Sequence, residues 1–384
     1  MVRKILVSAG EASGDLYASL LVEEIRRRMP SAVFRGCTGP RLRAAGVESV
    51  VDSASLAVVG LLEVVSHIPR IYGEYRKLLR AAAQWRPDLA ILTDSPDFHL
   101  RVAKRLHRLG IPVVYLVAPQ VWAWRQGRLP AMRESIDRLL CIFPFEEEFF
   151  TGHGVRATYI GHPLAGLVAP ALTKDEFFRK HRLPAGRLTI AILPGSRKGE
   201  ALRHLPPLLD AAVRLYRERA VNLVLPASAT TGAAFFRELV GSAPVRVMEG
   251  ESWDAIAHAD LALAASGTVT VEAALLGTPM VTFYRVSTPS WIAGKLLVRV
   301  PFYSMVNLIA GRRVAPELMQ AEMTGEALAR EAGRLLTDSA ARAEMCAGLA
   351  EVRRKLSQPG SQSAAERAAA IVQEILEGQF AHVS

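Results

Sequence analysis

The chain has 384 residues, half of them apolar and 22% charged, with a net charge of +10. That length points to two domains with full-sized cores, and the composition excludes a disordered chain. Cys37, Cys141 and Cys346 lie far apart with no C-x-x-C pair, which argues against a disulfide frame or a zinc site and fits a reducing compartment.

In chain order, the apolar run after Lys4 is only Ile5-Leu6-Val7. It is too short for a signal peptide and reads as a first strand. A helix is expected over Leu16–Met29, preceded by Gly10-Glu11-Ala12-Ser13-Gly14-Asp15. The two glycines permit tight packing, and Glu11, Ser13 and Asp15 offer groups for hydroxyl recognition. A capped turn with Asp15 at the helix start is the plainer alternative. The spacing is not G-x-G-x-x-G, so a dinucleotide site is not expected.

Leu89–Leu92, Val113–Val117 and Leu139–Phe143 read as further strands, each after a helix, so the first half is built of parallel β-α-β units. Asp94-Ser95-Pro96-Asp97-Phe98-His99 ends the second strand. Asp97 is a candidate general base there, with His99 a rival of better intrinsic pKa. Helix capping by either Asp is an equal alternative. The two acids are not in D-x-D spacing, so no metal is expected, and no cofactor. Pro119–Arg125 is rich in Trp, for core packing, sugar stacking or a lipid interface.

A break falls near Gly161-His162-Pro163, and the alternation restarts with strands Leu188–Leu193, Asn222–Leu225, Leu261–Ala264 and Met280–Tyr284. A helix is expected over Pro206–Arg219, and the tail 361–380 reads as an amphipathic helix that crosses back to the first lobe. The expected architecture is α/β, two Rossmann-like domains facing a cleft: 1–165 joined by 361–384, and 166–360.

Two loops of the second half suit phosphate. Leu193–Arg197 leaves a strand with Gly195 for close approach, the Ser196 hydroxyl and the Arg197 guanidinium. Ser266-Gly267-Thr268 opens a helix whose free N–H groups form an anion site. Glu272, one turn deeper, can take ribose hydroxyls, so the pair suggests a nucleoside diphosphate. The alternatives are an ordinary strand-to-helix turn with a solvated Arg197, and a Ser/Thr N-cap with an exposed Glu272. Neither loop is a Walker A motif.

The basic excess has no nucleic-acid clustering. From Leu61 to Leu140, 13 Lys/Arg face 7 Asp/Glu, and no acid occurs between Glu272 and Glu317. Two apolar stretches accompany these regions, Leu56–Val65 and Ser290–Tyr303. The candidate acyl or membrane contacts are Leu61, Leu62 and Val65 in the first, and Trp291, Leu296, Leu297, Arg299 and Phe302 in the second. A membrane interface and a buried helix with snorkelling cations are equal readings. No run approaches the ~20 apolar residues of a spanning helix.

Taken together, GEASGD (10–15), SPDF (95–98), PQVWAWR (119–125), GHP (161–163), LPGSR (193–197), SGTVTVE (266–272) and NLIAG (307–311) resemble the lipid-A-disaccharide synthase family, bacterial inverting glycosyltransferases of the two-lobed GT-B type. The resemblance covers nearly the whole chain. It implies that UDP-2,3-diacylglucosamine donates its sugar to the 6-hydroxyl of 2,3-diacylglucosamine 1-phosphate, giving the β-1,6 disaccharide and UDP. It also implies Asp97 as base, Arg197 as a phosphate contact, Asn307 as a donor-site residue, and a peripheral protein on the cytoplasmic face of an anionic inner membrane. An oligomer stays open. His99 stands where relatives often carry Asn, and Gly166 where they often carry Asp. The alternatives are a UDP-sugar epimerase, a transferase with a soluble acceptor, or a non-catalytic lipid-binding module.

Overall fold

The computed structural model describes residues 2–56, 63–228, 231–298, 300–357, 360 and 362–378. The chain divides into two compact units, Met1–Gly166 with Gln358–Ser384, and Leu167–Ser357.

The first unit runs β1 (Lys4–Ala9), α1 (Ala12–Arg28), β2 (Val33–Thr38), α2 (Pro40–Ala44), β3 (Glu48–Asp52), α3 (Glu63–Trp85), β4 (Leu89–Thr93), α4 (Pro96–Arg108), β5 (Val113–Leu116), α5 (Leu129–Ser135), β6 (Arg138–Cys141), α6 (Pro144–Gly152) and β7 (Ala157–Tyr159). Its strands form one sheet in the order β3-β2-β1-β4-β5-β6-β7, and every described pair is parallel. A parallel sheet covered on both faces needs strands apolar on both sides. LAILT of β4 and VVYL of β5 meet that need and are buried along their whole length.

The helices carry their own signals. α1 has Asp15 in its first turn and Arg26, Arg27 and Arg28 in its last, matching the helix dipole at both ends. α4 opens on Pro96, which suits a first helical position.

The second unit runs α7 (Lys174–Lys180), β8 (Thr189–Leu193), α8 (Lys198–Arg219), β9 (Asn222–Ala227), α9 (Ala233–Val240), β10 (Arg246–Glu249), α10 (Ser252–Ala257), β11 (Leu261–Ala265), α11 (Thr268–Leu276), β12 (Met280–Tyr284), α12 (Thr288–Leu297), α13 (Met305–Ala310), β13 (Glu317–Met319), α14 (Gly325–Thr337) and α15 (Ser339–Leu356). Its sheet order is β10-β9-β8-β11-β12-β13. The last helix, α16 (Ala364–Gly378), belongs to the first unit and packs along α1.

The strand order of each sheet reverses once, between β1 and β4 in the first and between β8 and β11 in the second. In open α/β sheets such a reversal leaves a crevice at the carboxyl ends of the two strands, and ligands bind there. The loops after β1 and β4 are Gly10–Glu11 and Asp94–Ser95, which lead into α1 and α4. Those after β8 and β11 are Pro194–Arg197 and Ser266–Gly267, which lead into α8 and α11.

Several elements differ from expectation. β2, β3, β7, β10 and β13 carry no clear apolar run, being short and partly polar. The strand expected to reach Phe143 stops at Cys141, because Pro144 opens α6. α8 starts at Lys198, eight residues before the expected Pro206, and carries Pro206 and Pro207 inside. Its buried face runs unbroken through Ala201, His204, Leu205 and Leu208, so packing holds the helix across the two missing N–H groups. Of the proposed lipid contacts, Leu61, Leu62 and Arg299 lie outside the described residues, as do the side chains of Val65, Leu296 and Leu297. Trp291 and Phe302 are half-buried, and Trp291 packs on Tyr303 with ring centroids 5.7 Å apart.

Candidate active site

In the first unit, the loops after β1 and β4 are locked together by Asp94. Asp94 and Ser95 both take left-handed backbone angles, φ 54° and 38°. The Asp94 carboxylate accepts hydrogen bonds from Gly10 N at 2.8 Å and Glu11 N at 3.0 Å. Its carbonyl oxygen accepts from the Tyr115 hydroxyl at 2.6 Å and from His99 Nδ1 at 3.0 Å. Burial pushes the carboxyl up to about 7, and the two loop N–H groups oppose that shift. The sequence offers Asp94 only as a possible helix cap; its carboxylate instead joins two loops.

The glycines of GEASGD serve this lock. A Cβ at Gly14 would stand 1.7 Å from Asp94 Oδ2, and one at Gly10 would stand 2.4 Å from Ser95 Oγ. Asp15 does not face substrate: it is buried, and its carboxylate accepts from Gly39 N and Arg41 N at 2.8 Å and Leu42 N at 3.2 Å, capping α2. Glu11 and Ser13 remain exposed.

His99 is likewise corrected. It is 0% exposed, and both ring nitrogens are engaged. Since Nδ1 donates to the Asp94 carbonyl, Nε2 accepts from the Ser8 hydroxyl at 2.7 Å. Burial lowers its pKa to about 4, so it is neutral and walled off from any substrate proton. Asp97, by contrast, stands in the first turn of α4 with its side chain 75% exposed. Arg125 Nη1 lies 3.1 Å from its Oδ2, and Arg128 pairs with its Oδ1. Within PQVWAWR, Trp122 is structural, donating to the buried Glu146 at 3.0 Å, whereas Trp124 is exposed beneath the Arg125 guanidinium.

His162 of the GHP motif is buried against the rings of Tyr17 and Phe143, and its Nδ1 accepts from Leu164 N at 3.1 Å. Burial lowers its pKa to about 3. The unfolded chain therefore binds a proton near pH 6.5 that the folded chain refuses until about 3. Stability from this site is complete above pH 6.5 and falls by about 1.4 kcal/mol per pH unit as acid is added below it. His162→Gln should remove this share of the acid dependence of the urea midpoint and leave that of the buried His99 in place.

In the second unit, Gly195 takes φ 110°, while Ser196 and Arg197 are exposed at the start of α8. Arg197 pairs weakly with Glu200 at 3.3 Å, its side chain 72% exposed. Buried His204 fixes this loop to the end of β12: Nδ1 donates to Pro194 O at 2.8 Å, and Nε2 accepts from Arg285 N at 3.0 Å. Burial lowers its pKa, consistent with a neutral ring.

The neighbouring loop is open. α11 begins with no side-chain cap, and a Cβ at Gly267 would meet no atom within 4 Å. Ser266 is anchored, its hydroxyl donating to Tyr303 O at 2.6 Å, and Thr268 is exposed. Glu272 is half-buried one turn on; burial raises its pKa, and a hydrogen bond with the Trp253 side chain opposes the rise. No pattern in the sequence pointed to Trp253.

Asn307 is not at this site. It is 0% exposed, and its amide is fully occupied. Oδ1 accepts from Val314 N and Ala315 N at 2.7 and 2.9 Å, and Nδ2 donates to Ala315 O and Glu317 Oε1 at 2.9 Å. It joins α13 to β13 and has no bond left for a donor sugar.

The geometry is thus two switch-point loop pairs, one rich in acid and arginine, the other offering an uncapped helix start after β11 and, after the adjacent β8, the loop that carries Arg197. A family model described as lipid-A-disaccharide synthetase matches residues 5–372. The chain belongs to the lipid-A-disaccharide synthase family. The lipid-A-disaccharide synthase of Solibacter usitatus is 73% identical over 99% of this chain and 100% of its own, and that of Koribacter versatilis 45% identical over 95% and 97%. The enzyme is a glycosyltransferase of lipid A synthesis, with a UDP-sugar donor and a sugar-phosphate acceptor. That removes the epimerase and non-catalytic alternatives. Among solved structures, the S. aureus MnaA–UDP co-structure superposes with a TM-score of 0.68 at 12% identity, covering 98% of this chain and 97% of that one. The calicheamicin glycosyltransferase CalG4 gives 0.63 at 18%, covering 98% of each. At those identities they show the shared GT-B architecture alone.

Proposed function

We propose that the second unit holds the donor, UDP-2,3-diacylglucosamine, with its pyrophosphate against the start of α11, and that Asp97 of the first unit is the general base for 2,3-diacylglucosamine 1-phosphate. The acceptor 6-hydroxyl oxygen attacks the anomeric carbon from the face opposite UDP. Its proton passes to Asp97, the bond from the anomeric carbon to the UDP oxygen breaks, and the configuration inverts. Charge developing on UDP meets the α11 N–H groups and Arg197. Glu272 accepts hydroxyl hydrogens of the ribose.

The observation that carries this reading is the vacant space over Gly267 at an uncapped helix start, next to the loop bearing Arg197. The Gly267 backbone is extended, φ 161°, which any residue adopts. Gly267→Val should therefore leave the melting temperature unchanged while weakening UDP binding roughly 10- to 100-fold through overpacking. Unchanged UDP affinity, read by titration calorimetry, would count against the site.

Among the described residues no helix is long and apolar enough to cross a membrane. The outer face of α3 and α4 supports contact from the side. Ile68 and Tyr72 are 54% and 58% exposed, beside exposed Arg70, Arg76, Lys77 and Arg80 on α3 and Arg101, Lys104, Arg105 and Arg108 on α4. Apolar side chains among cations suit an anionic interface. Sedimentation with phosphatidylglycerol vesicles should exceed that with phosphatidylcholine and fall with salt. Ile68→Ser with Tyr72→Ser should lower both.

A further inference from the structure

The carboxylate assigned as base is occupied. Arg125 Nη1 contacts both its oxygens, at 3.2 and 3.1 Å, and Arg128 Nη2 contacts Oδ1. These contacts take most of the roughly four acceptor positions of the carboxylate and compete with a hydroxyl for the rest. The arrangement is also costly to assemble for so exposed a pair. Arg125 takes a left-handed φ of 58°, and the Trp124 ring gathers both guanidinium groups, with centroid distances of 4.3 Å for Arg125 and 6.0 Å for Arg128. An indole holding two guanidinium groups at one point makes a fork for a planar or tetrahedral oxyanion. A carboxylate at the surface holds such a fork loosely. A phosphate monoester offers more charge and three acceptor oxygens, and it competes well for the same donors.

We propose that Arg125 and Arg128, backed by Trp124, are the subsite for the phosphate monoester of the acceptor, and that Asp97 occupies it as a stand-in until the acceptor arrives. This rests on the reading of Asp97 as base. Arrival of the phosphate exchanges ion-pair partners without making or breaking a covalent bond. It turns the guanidinium groups onto phosphate and frees the Asp97 oxygens. The 1-phosphate and 6-hydroxyl lie across one pyranose ring, a span that an arginine swinging off Asp97 covers. The base is then uncovered only when the phosphorylated acceptor is in place, which protects the UDP-sugar from water in its absence.

The test compares 2,3-diacylglucosamine 1-phosphate with the same lipid lacking its phosphate, both in mixed detergent micelles. The native enzyme should favour the phosphorylated lipid on the order of 100-fold in kcat/KM, as two charge-assisted contacts would give. Arg125→Gln with Arg128→Gln should cut that preference to below about tenfold, with UDP affinity unchanged. The exposed single variant Arg125→Gln gives the same readout if the double variant does not fold, and where turnover is too low the ratio is taken from equilibrium binding. Asp97→Ala should bind the phosphorylated lipid more tightly than the native enzyme does, since it removes the stand-in, and should leave binding of the phosphate-free lipid unchanged. A preference retained in the arginine variants, or phosphorylated-lipid binding that is not tightened by Asp97→Ala, would overturn the subsite. If Asp97→Asn kept its turnover while the arginine variants lost their preference, the base assignment would fall and the phosphate contact would stand.

Discussion

Asp97→Asn lowers turnover by about 10³-fold, within the 10²–10⁴ range of a lost general base, and leaves UDP affinity where it was. The substitution keeps shape and removes the charge, and with it the ability to take a proton and the ion pairs to Arg125 and Arg128. Asp97 is exposed but the Arg128 side chain is only 17% exposed, so the melting temperature should fall slightly. Single-turnover measurements with donor saturating would place the loss in kcat, because donor contacts belong to the other unit. The companion variant His99→Asn tests the alternative. His99 supports the Asp94 backbone from a sealed position, so its loss should appear in the urea midpoint and, in proportion, in the folded fraction. Activity per folded molecule should change far less than for Asp97→Asn. Near-native turnover in Asp97→Asn would end its role as base.

Gly14→Ala is expected to damage the first unit severely. The new Cβ would stand 1.7 Å from Asp94 Oδ2. That carboxylate cannot turn aside without releasing Gly10 N and Glu11 N, so either the lock opens or α1 shifts. Overpacking with loss of two hydrogen bonds should cost about 3 kcal/mol or more, read as a lowered urea midpoint. Gly10→Ala should be milder, since its closest clash, Ser95 Oγ at 2.4 Å, ends a side chain that can rotate, and the others, Asp94 Oδ1 and Ser95 Cβ, stand at 2.9 Å. Gly73→Ala on α3 meets nothing within 4 Å and should stabilise by about 0.5 kcal/mol through helix propensity alone. An order other than Gly14, Gly10, Gly73 would refute the packing account.

What could be read from residues alone follows burial. β4, β8 and β11 announce themselves because strands covered on both faces must be apolar throughout. β3 and β13 lie at sheet edges and hold polar residues, Glu48, Asp52 and Glu317, so their signal merges with loop. The two prolines in α8 hid its first two turns, since their local preference opposes a helix that tertiary packing enforces.

The motifs were visible, but which of their members point outward was not. Asp15 and Asn307 share short motifs with exposed residues and have side chains of the type that bind sugars, yet their hydrogen bonds are spent on α2 and on the α13–β13 joint. Only the geometry separates a polar group that recognises a ligand from one that holds the loop beside it.

The return of α16 to the first unit affects how the protein is made. Synthesis delivers residues 1–166 first, but the helix that lies along α1, with Ala368, Val372 and Leu376 buried, leaves the ribosome only after the second unit. The second unit, continuous from 167 to 357, has its full complement of strands before then. The amino-terminal half must therefore wait with part of α1 unshielded until α16 has been made. A nascent chain stalled before residue 364 should be a better chaperone client and protease target in its first half than in its second.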